Sequence, residues 1–169
     1  ENDLAAYAVK HYNFTTHEGF NAGIWKNDNA TDNQAATDYD KKWIPGQWKV
    51  PEAYDNPASN DPWYFSAIRE ANYFLETVVP RFEKGEIEGS ETNIKHYIGE
   101  MYFLRAKNYL SKLETFGDFP IIKNTLPDES ESLIQASKRA PRYKVAHFIL
   151  EDLDQAISLL TNNISGGKN

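Results

Sequence analysis

The stretch GEMYFLRAKNYLSKLETFGDFP, residues 99–120, most constrains what this chain folds into. Ile94, Tyr97, Ile98, Met101, Leu104, Tyr109 and Leu113 recur at helical spacing and form a broad apolar stripe. Ser90 or Thr92 stands ready to cap the start, so a helix over 92–116 is expected. A Gly after the last turn and a Pro shortly beyond are ordinary helix punctuation. The exit Phe116-Gly117-Asp118-Phe119-Pro120 is more specific than that, and Arg105 lies among apolar neighbours. Both features require defined partners elsewhere in the chain.

Three more segments carry helical spacing. Asp61-Pro62 is a good helix start, followed by Trp63, Ala67, Ala71, Phe74 and Val78, which predicts a helix over 61–79 ending at Pro80. Pro141 opens a helix over 141–160 whose buried side is Val145, Phe148, Ile149, Leu153, Ala156, Ile157 and Leu160. Leu4, Tyr7, Ala8 and His11 predict a short helix from Asp3 to Tyr12. Residues 117–140 read as a mostly irregular connection, with FPIIKN the best short extended piece. Sustained alternation is absent, so the class is mainly α, built of antiparallel helix pairs. Ala71 and Ala106 lie 35 residues apart, near the tetratricopeptide period, though the other consensus residues are absent.

Residues 13–60 lose helical periodicity and fill with Asn, Asp, Gly and Pro, apart from a candidate helix near Asp32 to Lys42. Loops of that length are uncommon in compact domains. This one holds Trp25, Trp43 and Trp48 with Phe14, Phe20, Tyr39 and Tyr54, too aromatic for a disordered linker. Two readings stay open for these rings: they are core, or they offer flat faces to a sugar whose hydroxyls bond to nearby Asn, Asp or Arg. Trp63 sits inside a helix pattern and is assigned to packing.

The 169 residues suffice for one domain with a real core. The net charge of −7 and the lack of a basic stripe argue against a polyanion binder, so no nucleic-acid partner is expected. No run approaches the roughly 20 apolar residues of a membrane-spanning helix. With no cysteine, disulfides, thiolate metal sites and cysteine nucleophiles are excluded. His11, His17, His96 and His147 show no metal-ligand spacing, and His96 reads as a partly exposed polar residue. NDNATDN fails the EF-hand pattern, with Ala30 at the third position from Asp28 and Tyr39 at the twelfth. No phosphate, dinucleotide or nucleophile-elbow motif occurs.

Glu151, Asp152 and Asp154 read as the solvated face of the last helix, and Arg69, Asn72 and Arg105 as polar groups that lock helix to helix. Asn13, Asn29 and Asn163 start Asn-x-Ser/Thr triplets that carry little weight here. No catalytic residue, metal ligand or cofactor is assigned, and no enzymatic activity is expected.

Three motifs in sequence combine into a family pattern. The first is Trp63-Tyr64-x-x-Ala67-Ile68-Arg69-x-x-Asn72-x-Phe74-Leu75-Glu76. The second runs from Gly99-Glu100-x-x-Phe103-Leu104-Arg105-Ala106 through Tyr109 and Leu113 to the Phe116–Pro120 exit. The third is Arg139-x-Pro141, then Val145, Ile149, Asp152-Leu153 and Ala156. Together they resemble the SusD/RagB family of surface glycan-binding lipoproteins, over about residues 60–160 and more loosely over the whole chain.

The resemblance implies a SusD-like superhelix of tetratricopeptide-like helix pairs with long irregular, aromatic-rich loops. It implies an irregular lobe at 1–60, a helical scaffold at 61–160, and a chain of 169 residues that is the N-terminal part of a longer protein. It also implies a lipid anchor outside this chain, a place on the cell surface at the outer membrane, and a SusC-like TonB-dependent transporter as partner. The ligand would be an oligosaccharide or polysaccharide. Trp43 and Trp48, helped by Tyr39, are then the expected sugar platform, with Trp25 a further candidate. The alternative is a helical-repeat interaction module, or a binder of peptide or another nutrient, without sugar affinity. Arg105 and the Phe116–Pro120 exit would serve the scaffold and not the ligand.

Overall fold

A computed structural model describes residues 1–12, 44–47, 49–50 and 62–162, and the backbone of 30–31 and 34–35. The elements run α1 (Asn2–Val9), β1 (Ala30–Thr31), β2 (Gln34–Ala35), α2 (Ser66–Glu83), α3 (Glu91–Phe116), α4 (Ser130–Ala136) and α5 (Arg142–Leu159). The architecture is mainly α. The strands form one two-residue antiparallel pair, Ala30 opposite Ala35, where a helix from Asp32 was expected. The remainder of that expected helix lies outside the described residues.

The long helix α3 is the centre, packed against α1, α2 and α5. Of these, α2 and α5 run antiparallel to it: Trp63 meets Phe116 while Lys95 approaches Phe82, and Arg105 meets Asp152 while Gly99 faces Ala156 and Leu159. Ser90 caps α3 by accepting the Asn93 N–H at 3.4 Å. Gly99 lets α5 come close, because a Cβ there would lie 3.1 Å from Leu159 Cβ and 3.2 Å from Ala156 O.

Two apolar clusters flank a buried polar seam. Ala8, Phe74, Leu75, Val78, Ile94, Ile98, Met101 and Leu104 belong to one cluster. Ile68, Ala106, Tyr109, Phe116, Phe119, Val145, Phe148 and Ile149 belong to the other. Between them Arg105, 6% exposed, donates Nε and Nη2 to the two oxygens of Asp152, both at 2.7 Å. Its Nη1 donates to Asn72 Oδ1 at 2.9 Å and to the Lys123 carbonyl at 3.3 Å. The guanidinium also lies over the Tyr102 and Phe148 rings, at 5.4 and 5.2 Å. Asp152 is 3% exposed and is not part of the solvated face to which its neighbours pointed. Burial pushes its carboxyl up, and the bonds and charge of Arg105 pull it back.

The Phe116–Pro120 exit now has a physical account. Gly117 takes φ +70°, a positive value that favours glycine and turns the chain, and donates its N–H to Leu113 O. Asp118 accepts the Arg142 N–H at 2.7 Å and so caps α5 from across the connection. Phe119 is fully buried and exchanges two 3.1 Å backbone hydrogen bonds with Ala140. The exit of one helix builds the entrance of the next.

Several boundaries differ from expectation. The helix placed at 61–79 begins at Ser66, because Trp63 and Phe65 both stack near Phe119. Residues two apart on a helix cannot face one partner. The same helix continues past Pro80 to Glu83, carrying Phe82 onto the first cluster. The helix expected over Asp3–Tyr12 ends at Val9. The 117–140 connection contains α4. Ile157, placed on the buried side, is 74% exposed, and Leu160 is exposed too; Ile157 lies a residue beyond Ala156 and so off the side facing α3. Arg69 is exposed and takes no part in the lock formed by Asn72 and Arg105. His96 is buried: its Nδ1 accepts the Thr161 N–H at 3.1 Å and its Nε2 lies 3.0 Å from Glu100 Oε1.

Replacing Arg105 with Ala would strand Asp152 and Asn72 in the interior. A loss of roughly 3–5 kcal/mol is expected in denaturant unfolding. A variant that unfolds with the parent would show that water reaches the seam. Asp118→Ala removes only the remote cap and is expected to cost about 0.5–2 kcal/mol, measured the same way.

Candidate functional site

The segment after Phe119 is held to the helices by its own backbone. Asn72 Nδ2 donates to Ile122 O at 2.8 Å, and the Tyr109 hydroxyl donates to the same oxygen at 3.2 Å while accepting the Ile122 N–H at 2.8 Å. Burial pushes the Tyr109 phenol up to about 12, so the donor proton stays in place. Further along, Thr125 donates its N–H (2.9 Å) and hydroxyl (2.7 Å) to Glu76 Oε2. With its polar backbone satisfied this way, the segment lays its apolar side chains alongside α2.

A cleft of about 380 Å³ results, bounded by the start of α2, residues 120–126 and α4. Trp63 and Phe65 provide aromatic surface, and Ile68, Ile122, Leu126 and Leu133 aliphatic surface. The rings are fixed from behind. Trp63 lies 4.2 Å from Phe116 and 5.7 Å from Phe119 between centroids, and Phe65 stacks on Phe119 at 5.1 Å. Arg139 covers the Trp63 ring at 4.9 Å. The polar lining is Arg69, Asn72, Asn124 and Ser137. Asn72 is committed to Arg105 and Ile122, which leaves few groups to address a ligand.

Trp63 therefore packs, as the sequence suggested, and also forms a wall of the cleft. The cleft itself was not foreseen. The available signal was Arg69 within the motif that starts at Trp63, read as a helix lock. Trp25, Tyr39, Trp43 and Trp48, the expected sugar platform, lie outside the described residues. Among the described residues no group of three or more His, Asp or Glu side chains is placed to hold a metal ion. Nor is any helix among them long and apolar enough to cross a membrane.

The family model for SusD-like proteins, described as "Starch-binding associating with outer membrane", matches residues 1–166. The chain belongs to the SusD-like family. Its fold matches the crystal structure of a SusD-like protein from Bacteroides fragilis with a TM-score of 0.65 at 21% identity. The match covers 98% of this chain and 31% of that one, so the chain spans about a third of that protein's length. No curated protein matches the sequence.

The Thr125 bonds hold the Glu76 carboxyl below its ordinary value. A carboxyl depressed in the folded state contributes above its unfolded pKa and loses that contribution as pH falls through the folded value. Protection of the Thr125 amide from hydrogen exchange, corrected for intrinsic rate, is expected to decline as pH drops below about 4.5. In Glu76→Gln this dependence should vanish.

Proposed function

We propose that this chain is the N-terminal part of a surface glycan-binding protein that captures oligosaccharides and passes them to a TonB-dependent outer-membrane transporter. The family match over residues 1–166, with its starch-binding and outer-membrane description, carries the reading. Residues 61–160 serve as the helical scaffold and residues 1–60 as the ligand-bearing lobe. Attachment to the membrane is through a lipid anchor outside this chain. The protein binds and does not cleave, because no nucleophile or paired acid and base can be assembled from its motifs.

Trp43 and Trp48, with Tyr39 beside them and Trp25 as a further candidate, form the sugar platform in this reading. Aromatic faces take the C–H surface of a pyranose, and the Asn- and Asp-rich flanks supply hydroxyl partners. The experiment is affinity electrophoresis and calorimetry of the intact protein against soluble starch and a polysaccharide panel. By analogy with aromatic pairs, each ring is worth about 0.5–1.5 kcal/mol beyond burial. Trp43→Ala or Trp48→Ala should therefore weaken binding several-fold with unchanged melting. Full-strength binding by the double variant would remove these rings from the site, and failure to bind any glycan would overturn the function.

A further inference from the structure

We propose that the cleft between α2, residues 120–126 and α4 binds a small apolar, ring-bearing carboxylate, with its ring beside Trp63 and Phe65 and its carboxylate on Arg69. The inference stands apart from the glycan reading and rests on three features. The cleft's 380 Å³ falls within the size range of small-molecule pockets, and a rigid aromatic wall with few polar groups is their usual construction. The rings are held from behind by Phe116 and Phe119, so little ordering would be needed when a ligand enters.

Charge supplies the second feature. In a chain of net charge −7, no Asp or Glu among the described residues lines this cleft, while Arg69 lines it and Arg139 lies over Trp63. Among the described residues the Arg69 guanidinium has no ion pair and no hydrogen bond. Its planar fork of donors matches a carboxylate in paired hydrogen bonds, strengthened where one side is apolar. The third feature is α4, which buries none of its residues yet turns Leu133 and Ala136 toward the cleft.

A sugar fits this lining poorly. Most of its hydroxyls would face Ile68, Pro120, Ile122, Leu126 and Leu133, and Arg69, Asn72, Asn124 and Ser137 offer few hydrogen-bond partners to replace water.

The test is an NMR titration of the intact protein with 2-naphthoate, its neutral analogue 2-naphthalenemethanol, and maltoheptaose. Naphthoate should shift the Trp63 indole and the Leu133 and Ala136 methyl signals, and bind about tenfold more tightly than the neutral analogue. Arg69→Gln, a change at an exposed side chain, should erase that preference and leave the neutral analogue unaffected. Ala136→Phe, which fills the cleft, should abolish both. Equal affinity for the two naphthalenes, shifts confined to other residues, or unchanged binding in Ala136→Phe would each overturn the proposal. So would maltoheptaose shifting these signals ahead of naphthoate, or further chain already shielding Trp63 and Leu133 in the intact protein.

Discussion

The bidentate pair between Arg105 and Asp152 is the interaction on which the arrangement of helices depends. Hydrophobic burial brings α2, α3 and α5 together but does not by itself specify their register, since apolar contacts are non-directional. A guanidinium shielded from water must find its partners within about 3 Å. Here they come from Asp152 on α5, Asn72 on α2 and the carbonyl of Lys123. A shift of any helix by one residue would break several bonds at once and leave charge unpaired. Removing the seam by well-packed apolar side chains could be neutral for stability, whereas removing one member cannot.

The same network organises the chain beyond the helices. Asn72 accepts from Arg105 and donates to Ile122, so it transmits the position of the pair to the connection. Tyr109 closes a second link to the same residue. The walls of the cleft therefore follow from the core, although the cleft is at the surface. Asp118 adds the complementary link, from the end of α3 to the start of α5. These devices explain how an irregular connection keeps a defined path.

The rigid elements carry the buried polar lock. The family motifs at Trp63–Glu76, Gly99–Pro120 and Arg139–Ala156 coincide with the lock and its supports. They are motifs of the frame, and they do not by themselves specify which ligand is held.

Much of that frame was legible in the sequence. Caps, apolar stripes and glycine placement are local, so α3 and α5 and the burial of Arg105 followed from neighbouring residues alone. The antiparallel mainly α class followed for the same reason. What only the tertiary structure decided were matters set by partners distant in sequence. Asp152 looks like its solvated neighbours Glu151 and Asp154 until Arg105 is placed beside it, 47 residues away. Trp63 reads as the first turn of a helix until Phe116 and Phe119 draw it out of one. The cleft beside Arg69 had no local pattern, because its walls come from three segments whose meeting is fixed by long-range hydrogen bonds. Local periodicity determines which residues form helices; the pairing of buried charge determines where those helices, and the surfaces between them, come to rest.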